Sequence, residues 1–368
     1  MGHVFDAKEE VYQALARRLN KNPVGAPVNE TLMEILYRLY SETEALVGSK
    51  FPLLPMPLKK IAGVVGINEG ELKRTLEGMA DKGLVLDLPR RDSTYYMLAP
   101  MVVGFFEYTF MRVREEVNMK ELAELFESYF ARDGVREEIF GGNTKMFKTL
   151  VYESVIPAAV ETEVLSYERA SEIIRRSGGG ALSMCSCRHK AGHLGKACDA
   201  PVEDVCTSLG GAAEWLISRG MAKQATVDDL LRVLDRTEKL GLVHLGDNVL
   251  NKPAYICHCC GCCCGVLRSI NESGISSVHA SNFIPVLNSD LCTGCGTCVE
   301  ACHIRAIVTE DNNMPSVNEE SCIGCGVCAS ECPNEALIMS RRVSLHTPPQ
   351  NKQEQFIRIA GEKGRLKS

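Results

Sequence analysis

The first 184 of the 368 residues contain no cysteine, and the whole chain has one tryptophan and only 6% aromatic residues. No apolar run approaches the ~18–20 residues that a membrane helix needs; the longest, around Met97 to Phe106, is far too short. The opening Met1-Gly2-His3-Val4-Phe5-Asp6 lacks a secretory hydrophobic segment, and Asp6 stands where a myristoylation signal wants Ser or Thr. No G-x-G-x-x-G follows a predicted strand and no P-loop occurs, so nothing points to a bound nucleotide. Positive charge is not in excess either, with 41 Lys and Arg against 47 Asp and Glu and a net of −6. A membrane-spanning helix and a broadly basic nucleic-acid binder are thereby excluded. What remains is a soluble, cytoplasmic protein of two or three domains, with ordinary globular contents of 45% hydrophobic and 24% charged residues.

Cysteine is what the second half has in abundance. All eighteen lie between Cys185 and Cys332. A secreted disulfide scaffold would be shorter and would carry a signal peptide, so crowding of this kind in a cytoplasmic chain means metal.

The chain reads as six stretches with an α+β composition. Residues 1–27 are a helical lead ending in Asn22-Pro23-Val24-Gly25-Ala26-Pro27. In 28–100, a helix from about Thr31 to Leu46 is followed by a short one over Leu58–Val65. A third helix is capped by Asn68 and stopped at Gly83. Two strands, Leu84–Leu88 and Thr94–Leu98, flank a polar tip. Three helices and a hairpin resemble a winged helix-turn-helix. From Val28 to Pro100, however, nine Lys or Arg face ten Asp or Glu. The resemblance therefore implies a docking or dimerisation unit, a homodimer through this domain included, rather than a nucleic-acid reader. Residues 101–180 read as a charged helical linker, with helices over Met119–Phe130 and Tyr167–Ser177. Residues 181–285 are a mostly helical Cys-rich module, 286–340 a repeat, and 341–368 a basic tail with seven Lys or Arg against two acids, expected to be solvated and poorly ordered.

The repeat carries the clearest chemistry. Cys292-Thr293-Gly294-Cys295-Gly296-Thr297-Cys298 reaches Cys302 after three more residues; thirty residues later Cys322-Ile323-Gly324-Cys325-Gly326-Val327-Cys328 reaches Cys332 and Pro333. This resembles the bacterial two-cluster ferredoxins over about 55 residues. In that family three thiolates two residues apart hold one cluster, and the fourth, three further on, serves the other. The resemblance assigns Cys292, Cys295, Cys298 and Cys332 to one [4Fe–4S] cluster and Cys322, Cys325, Cys328 and Cys302 to its neighbour. Gly294, Gly296, Gly324 and Gly326 let each loop fold tightly. His303 stands where the family has proline. Zinc ribbons use two cysteine pairs, not two quartets, so iron–sulfur is the expected filling.

Ten cysteines precede the repeat. Cys185, Cys187, Cys198 and Cys206 are spread out; Cys257, Cys259, Cys260, Cys262, Cys263 and Cys264 are packed into nine residues with His258 and two glycines. A helical hairpin between the groups, Gly211–Ser218 and a helix from the capping box at Thr226 to Leu240, brings them together. Ten thiols supply two four-Cys clusters with two left over, or one larger cluster. The stretch from Glu163 to Leu267 resembles a module found before the ferredoxin repeat in uncharacterised iron–sulfur proteins of anaerobic microbes, which implies electron transfer. Cys259-Cys260-Gly261 also resembles the CCG domains of heterodisulfide reductases, whose paired cysteines hold non-cubane clusters that cleave disulfides. There the cysteines are spread out, and here they are nearly contiguous. His189 and His193, four apart, share a helix face and are zinc-ligand candidates alongside cysteine. Arg188 and Lys190 are placed to offset thiolate charge.

Three functions compete. The first is a relay of single electrons to a partner oxidoreductase through the two ferredoxin clusters and one or two more. Eight acids against one Arg in 286–340 would steer it toward a basic partner. The second is an oxidoreductase acting on a disulfide or similar substrate at an upstream cluster. The third is a redox-sensing winged-helix regulator.

Overall fold

Local capping explains the helical N-terminal third of the computed structural model, which describes residues 2–161, 164–311 and 313–366; Glu163 lies outside the described residues. After a helix over Gly2–Asn20, the single helix expected from Thr31 to Leu46 proves to be two, Glu30–Leu39 and Glu42–Ser49. Ser41 is the cause. Its hydroxyl accepts from the Glu44 N–H while the Glu44 carboxylate accepts from the Ser41 N–H at 2.8 Å, a capping box that starts a new helix. Asn68 accepts from Glu71 N at 2.9 Å and opens Glu69–Asp81, and the chain leaves through Gly83 at φ +77°. Strands β1 (Met56–Pro57), β2 (Val85–Pro89) and β3 (Thr94–Leu98) form a small antiparallel sheet in the order β1-β3-β2.

The middle of the chain is not mostly helical. It is built on a seven-stranded sheet of β4 (Phe147–Leu150), β5 (Gly180–Ser183), β6 (Cys206–Leu209), β7 (Lys223–Ala225), β8 (Val243–Asp247), β9 (Tyr255–Cys259) and β10 (Val278–His279). The order is β10-β4-β8-β9-β6-β5-β7, and every neighbouring pair is antiparallel except β10 with β4. The central strands β4 and β8 are buried at every position and so show no alternation of apolar and polar residues. One of them, β4, comes from the stretch that reads as a linker. Helices Ala170–Ser177 and Val227–Lys239 cover one face of the sheet through Ile174, Leu230 and Leu234, packed on Leu150, Leu209 and Ile256. The opposite face carries the cysteines.

At the C-terminal end, β11 (Phe283–Leu287) pairs with β14 (Leu337–Arg341), and β12 (Ile307–Thr309) with β13 (Pro315–Val317), all antiparallel. The tail, expected to be poorly ordered, forms a helix over Lys352–Glu362. Fully buried Gln355 explains its order, since its Nε2 donates to the carbonyls of Lys145, Met146 and Asn248. Lys352 pairs with buried Asp247 of β8, and Arg365 with Glu138. The tail thus packs on the middle sheet and the N-terminal helices. Among the described residues no helix is long and apolar enough to cross a membrane.

Candidate metal centres

Strand alternation sorts the upstream cysteines. On β9, Cys257 and Cys259 point to one face of the sheet, while His258 between them points to the other, where its Nδ1 meets Thr237 Oγ1 at 2.9 Å. Cys206 of the adjacent β6 lies near enough to Cys257 to act on it, as do Cys257 on Cys259, Cys259 on Cys264 and Cys264 on Cys187, and all five line one cavity. Cys185 faces Cys257 and Cys264 electrostatically. Six thiols therefore gather around one space. Two of them begin helices: Cys185 is the N-cap of Ser186–His193 and Cys264 that of Gly265–Ser273. The positive ends of those helices favour thiolate. The neighbouring Cys206 and Cys259 outweigh burial and lower the Cys257 thiol.

The remaining four, Cys198, Cys260, Cys262 and Cys263, gather separately with all their sulfurs within 4.8 Å of one another. Between the two sets lies Arg188, 1% exposed, donating to the carbonyls of Pro201 (2.9 Å) and His258. Burial works against its charge, but Cys185 and Cys260 on either side outweigh it and raise its pKa. Lys190 does not join the thiols; it pairs with Glu127. His189 and His193 also stand apart. His189 Nδ1 donates to the Phe110 carbonyl at 2.8 Å, and the two Nε2 atoms lie 3.2 Å from each other.

In the repeat, one small cavity of about 20 Å³ is lined by Cys292, Cys295, Cys298 and Cys332, the four cysteines the ferredoxin resemblance groups together. Cys302 lies close enough to Cys322, Cys325 and Cys328 to act on each electrostatically. The two fourth cysteines are held alike, with Ala306 N donating to Cys302 Sγ at 3.2 Å and Ala336 N to Cys332 Sγ at 3.3 Å. Gly294 and Gly324 have φ of +68° and +67°, conformations that β-carbon-bearing residues rarely adopt. Two quartets of thiols, each with a backbone N–H donating to its fourth cysteine, fit a pair of cubanes.

Residues 285–339 match the family model of the 4Fe-4S dicluster domain. Neither the curated proteins nor the solved structures contain a match to the chain. The protein carries [4Fe–4S] cofactors and has an iron–sulfur electron-transfer role.

The dicluster domain meets the upstream thiols through His303, whose importance the sequence did not signal beyond its departure from the family's proline. Its Nδ1 accepts from Gly261 N at 3.1 Å, in the turn between Cys260 and Cys262, and its Nε2 meets the Gly241 carbonyl at 2.7 Å. Gly261 has no room for a side chain, because a β-carbon there would come closer than 3.0 Å to the His303 carbonyl oxygen. A second link runs from Tyr152 N to the Cys325 carbonyl at 3.0 Å.

The six-thiol set faces a cavity of about 360 Å³. Leu86, Leu88 and Met97 of the β2–β3 hairpin wall it together with Trp215, Tyr255 and Phe356. The hairpin is fastened there by Asp87, which accepts from Trp215 Nε1 at 2.8 Å and pairs with Arg219. Among the described residues one acid lines the cavity, Glu107. Burial pushes its carboxyl up to about 8, despite the hydrogen bond it accepts from Gly104 N at 2.8 Å.

Proposed function

We propose that this chain relays single electrons between a partner oxidoreductase and a third iron–sulfur centre held by Cys185, Cys187, Cys206, Cys257, Cys259 and Cys264. The two ferredoxin-type clusters, on Cys292, Cys295, Cys298 and Cys332 and on Cys322, Cys325, Cys328 and Cys302, supply one-electron storage when bound. The observation that carries the reading is the His303 junction, where the residue after Cys302 is hydrogen-bonded into the turn that follows β9. The protein's own residues do the rest. His303 fixes the two modules to each other, Arg188 offsets thiolate charge, and the winged-helix-like hairpin shields the upstream thiols from water. The acids of 286–340, Asp290, Glu310, Asp311, Glu319 and Glu320 among them, present a face for a basic redox partner.

The experiment is anaerobic iron and sulfide analysis with EPR-monitored reduction. More than eight irons per chain are expected, about twelve if the third centre is a cubane. Cys259→Ser and Cys264→Ser should each return the count to about eight and leave the ferredoxin signals intact. About eight irons in the unaltered protein would overturn the third centre.

A second reading is favoured by the size of the cavity. The cradle of a ferredoxin cluster shows about 20 Å³ of free space, and the six-thiol site about 360 Å³, room for a small organic molecule as well as a cluster. Reduction of an apolar disulfide there would consume two electrons and two protons and release two thiols. Trp215, the chain's one tryptophan, lines the cavity and gives a fluorescence readout of occupancy. Leu86→Trp, which fills the space, should abolish disulfide reduction by the dithionite-reduced protein and leave its iron content unchanged. Equal rates in both proteins would rule this reading out.

A further inference from the structure

Cys198, Cys260, Cys262 and Cys263 are spaced for a single ion, not for a cluster. Cys198 and Cys260 sulfurs are 3.5 Å apart, Cys262 and Cys263 3.6 Å, and Cys263 and Cys198 3.8 Å. Four sulfurs bound tetrahedrally to one metal at about 2.3 Å are separated by about 3.8 Å along each edge. Around a cubane each thiolate sits on a different iron, so the sulfurs are held apart by the full width of the cluster. The chain contains its own reference for that wider spacing: the eight cysteines of the dicluster domain form no such tight group among the described residues.

We propose that these four cysteines bind one zinc ion, in a closed site with no position left for a substrate. Zinc is favoured over ferrous iron because it binds a given thiolate site more tightly. The fold shows what the ion does. Residues 194–205 form no helix or strand, and Cys198 lies in the middle of them. The other three ligands sit in the tight turn after β9. Apart from the bonds of Arg188 to Pro201 and His258, these pieces meet in a small apolar cluster of Ala191, Leu242, Cys260 and Cys263, with Cys198 and Ala200 at its edge. A zinc tetrathiolate would carry a net charge of −2, and Arg188 lies against Cys260 to offset part of it. Gly261, hydrogen-bonded to His303, lies inside the clamped turn. The ion therefore fixes the turn on which the dicluster domain docks, and it takes no electron itself. The ten upstream cysteines divide into four for zinc and six for redox chemistry.

The test uses full-length protein purified anaerobically from medium containing both iron and zinc, with metals counted by mass spectrometry and zinc examined by X-ray absorption. About one zinc per chain is expected, with four sulfurs at about 2.3 Å. Cys262→Ser, at an exposed ligand, should speed loss of zinc to a chelator at least about tenfold while the iron count holds. Cobalt substituted at the site should give tetrahedral thiolate absorption bands in the native protein and weaker ones in Cys262→Ser. The absence of zinc, with about four irons lost in Cys262→Ser, would overturn the proposal. A lone iron at these four sulfurs would overturn it as well. Neither result bears on the six-thiol centre, whose irons are read out separately through Cys259→Ser and Cys264→Ser.

Discussion

Two glycines four residues apart, Gly261 and Gly265, should respond to alanine in opposite ways. At Gly261 the new methyl group would meet the His303 carbonyl closer than 3.0 Å, with its carbon at 3.1 Å and Cα at 3.3 Å. That carbonyl cannot tilt freely, because Asn271 Nδ2 donates to its oxygen at 2.9 Å. Gly261 itself is not in the left-handed region, so the cost is contact rather than backbone strain. Overpacking against a fixed group costs about 1–3 kcal/mol. Separating the segments also loses the Gly261–His303 hydrogen bond, about 1 kcal/mol more. Lower entropy of the unfolded chain returns about 0.4–1 kcal/mol. The net is a destabilisation of about 1–3.6 kcal/mol. At Gly265, the first residue of the helix Gly265–Ser273, an added β-carbon meets nothing within 4 Å. Alanine there should be neutral or stabilising by up to about 1 kcal/mol. The assay is anaerobic urea unfolding followed by loss of cluster absorbance, with the two variants run beside the parent protein. A Gly261→Ala midpoint equal to or above that of Gly265→Ala would refute the docking of the dicluster domain on this turn.

Other outcomes follow from the same contacts. His303→Pro, which installs the ferredoxin residue, should leave the Gly261 N–H unpartnered and cost about 1–3 kcal/mol. The dicluster iron content should nevertheless stay unchanged, as iron analysis beside urea unfolding would show. Arg188→Met removes a buried cation from between two thiolate sets and should destabilise by about 3–5 kcal/mol. It should also lower the midpoint potential of the six-thiol centre in an EPR titration, while an unchanged potential would mean the guanidinium is only a packing group. Lys148 of β4, 4% exposed, is lowered by burial from 10.5 to about 8, with Asp247 and Glu168 opposing. Between those pH values the unfolded chain holds the extra proton, so stability should rise with pH from 8 to 10.5 by at most about 3 kcal/mol. Lys148→Met should flatten that part of the curve of urea midpoint against pH.

How much of this was legible in the sequence depends on how local its cause is. The caps at Asn68 and Thr226, the stop at Gly83 and the cysteine repeat are written in a few adjacent residues, and they stand where the sequence puts them. Ser41 and Glu44 carry an equally local signal, a capping box, that the apolar periodicity across Thr31–Leu46 concealed. The large sheet had no local signal to conceal. Its strands are two to five residues long, and β8, Val-His-Leu-Gly-Asp, is buried throughout although two of its residues are ionisable. Those residues are satisfied from outside the strand: Asp247 pairs with distant Lys352 and accepts from Ala254 N at 3.1 Å, and His244 meets Thr237 at 3.2 Å. The tail's order, likewise, rests on Gln355 and carbonyls some two hundred residues earlier.

The division of the upstream thiols shows where local and distant causes meet. Once residues 255–259 are known to be a strand, Cys257 and Cys259 must share a face, and the turn that follows gathers Cys260, Cys262 and Cys263 with Cys198. Adjacent cysteines such as Cys259 and Cys260 thus belong to different centres because a strand ends between them and the rest of the motif. No spacing rule predicts that Cys198 completes the second set, since it arrives on a loop with no regular structure. Ten thiols counted as one pool invite two cubanes; placed on their backbone they become a compact four and an extended six. Arg188 lies between these sets, and it serves both because each needs positive charge in a place water does not reach. Its guanidinium also bonds the carbonyls of Pro201 and His258, so one buried cation both ties the loop to β9 and meets the thiolates beside it.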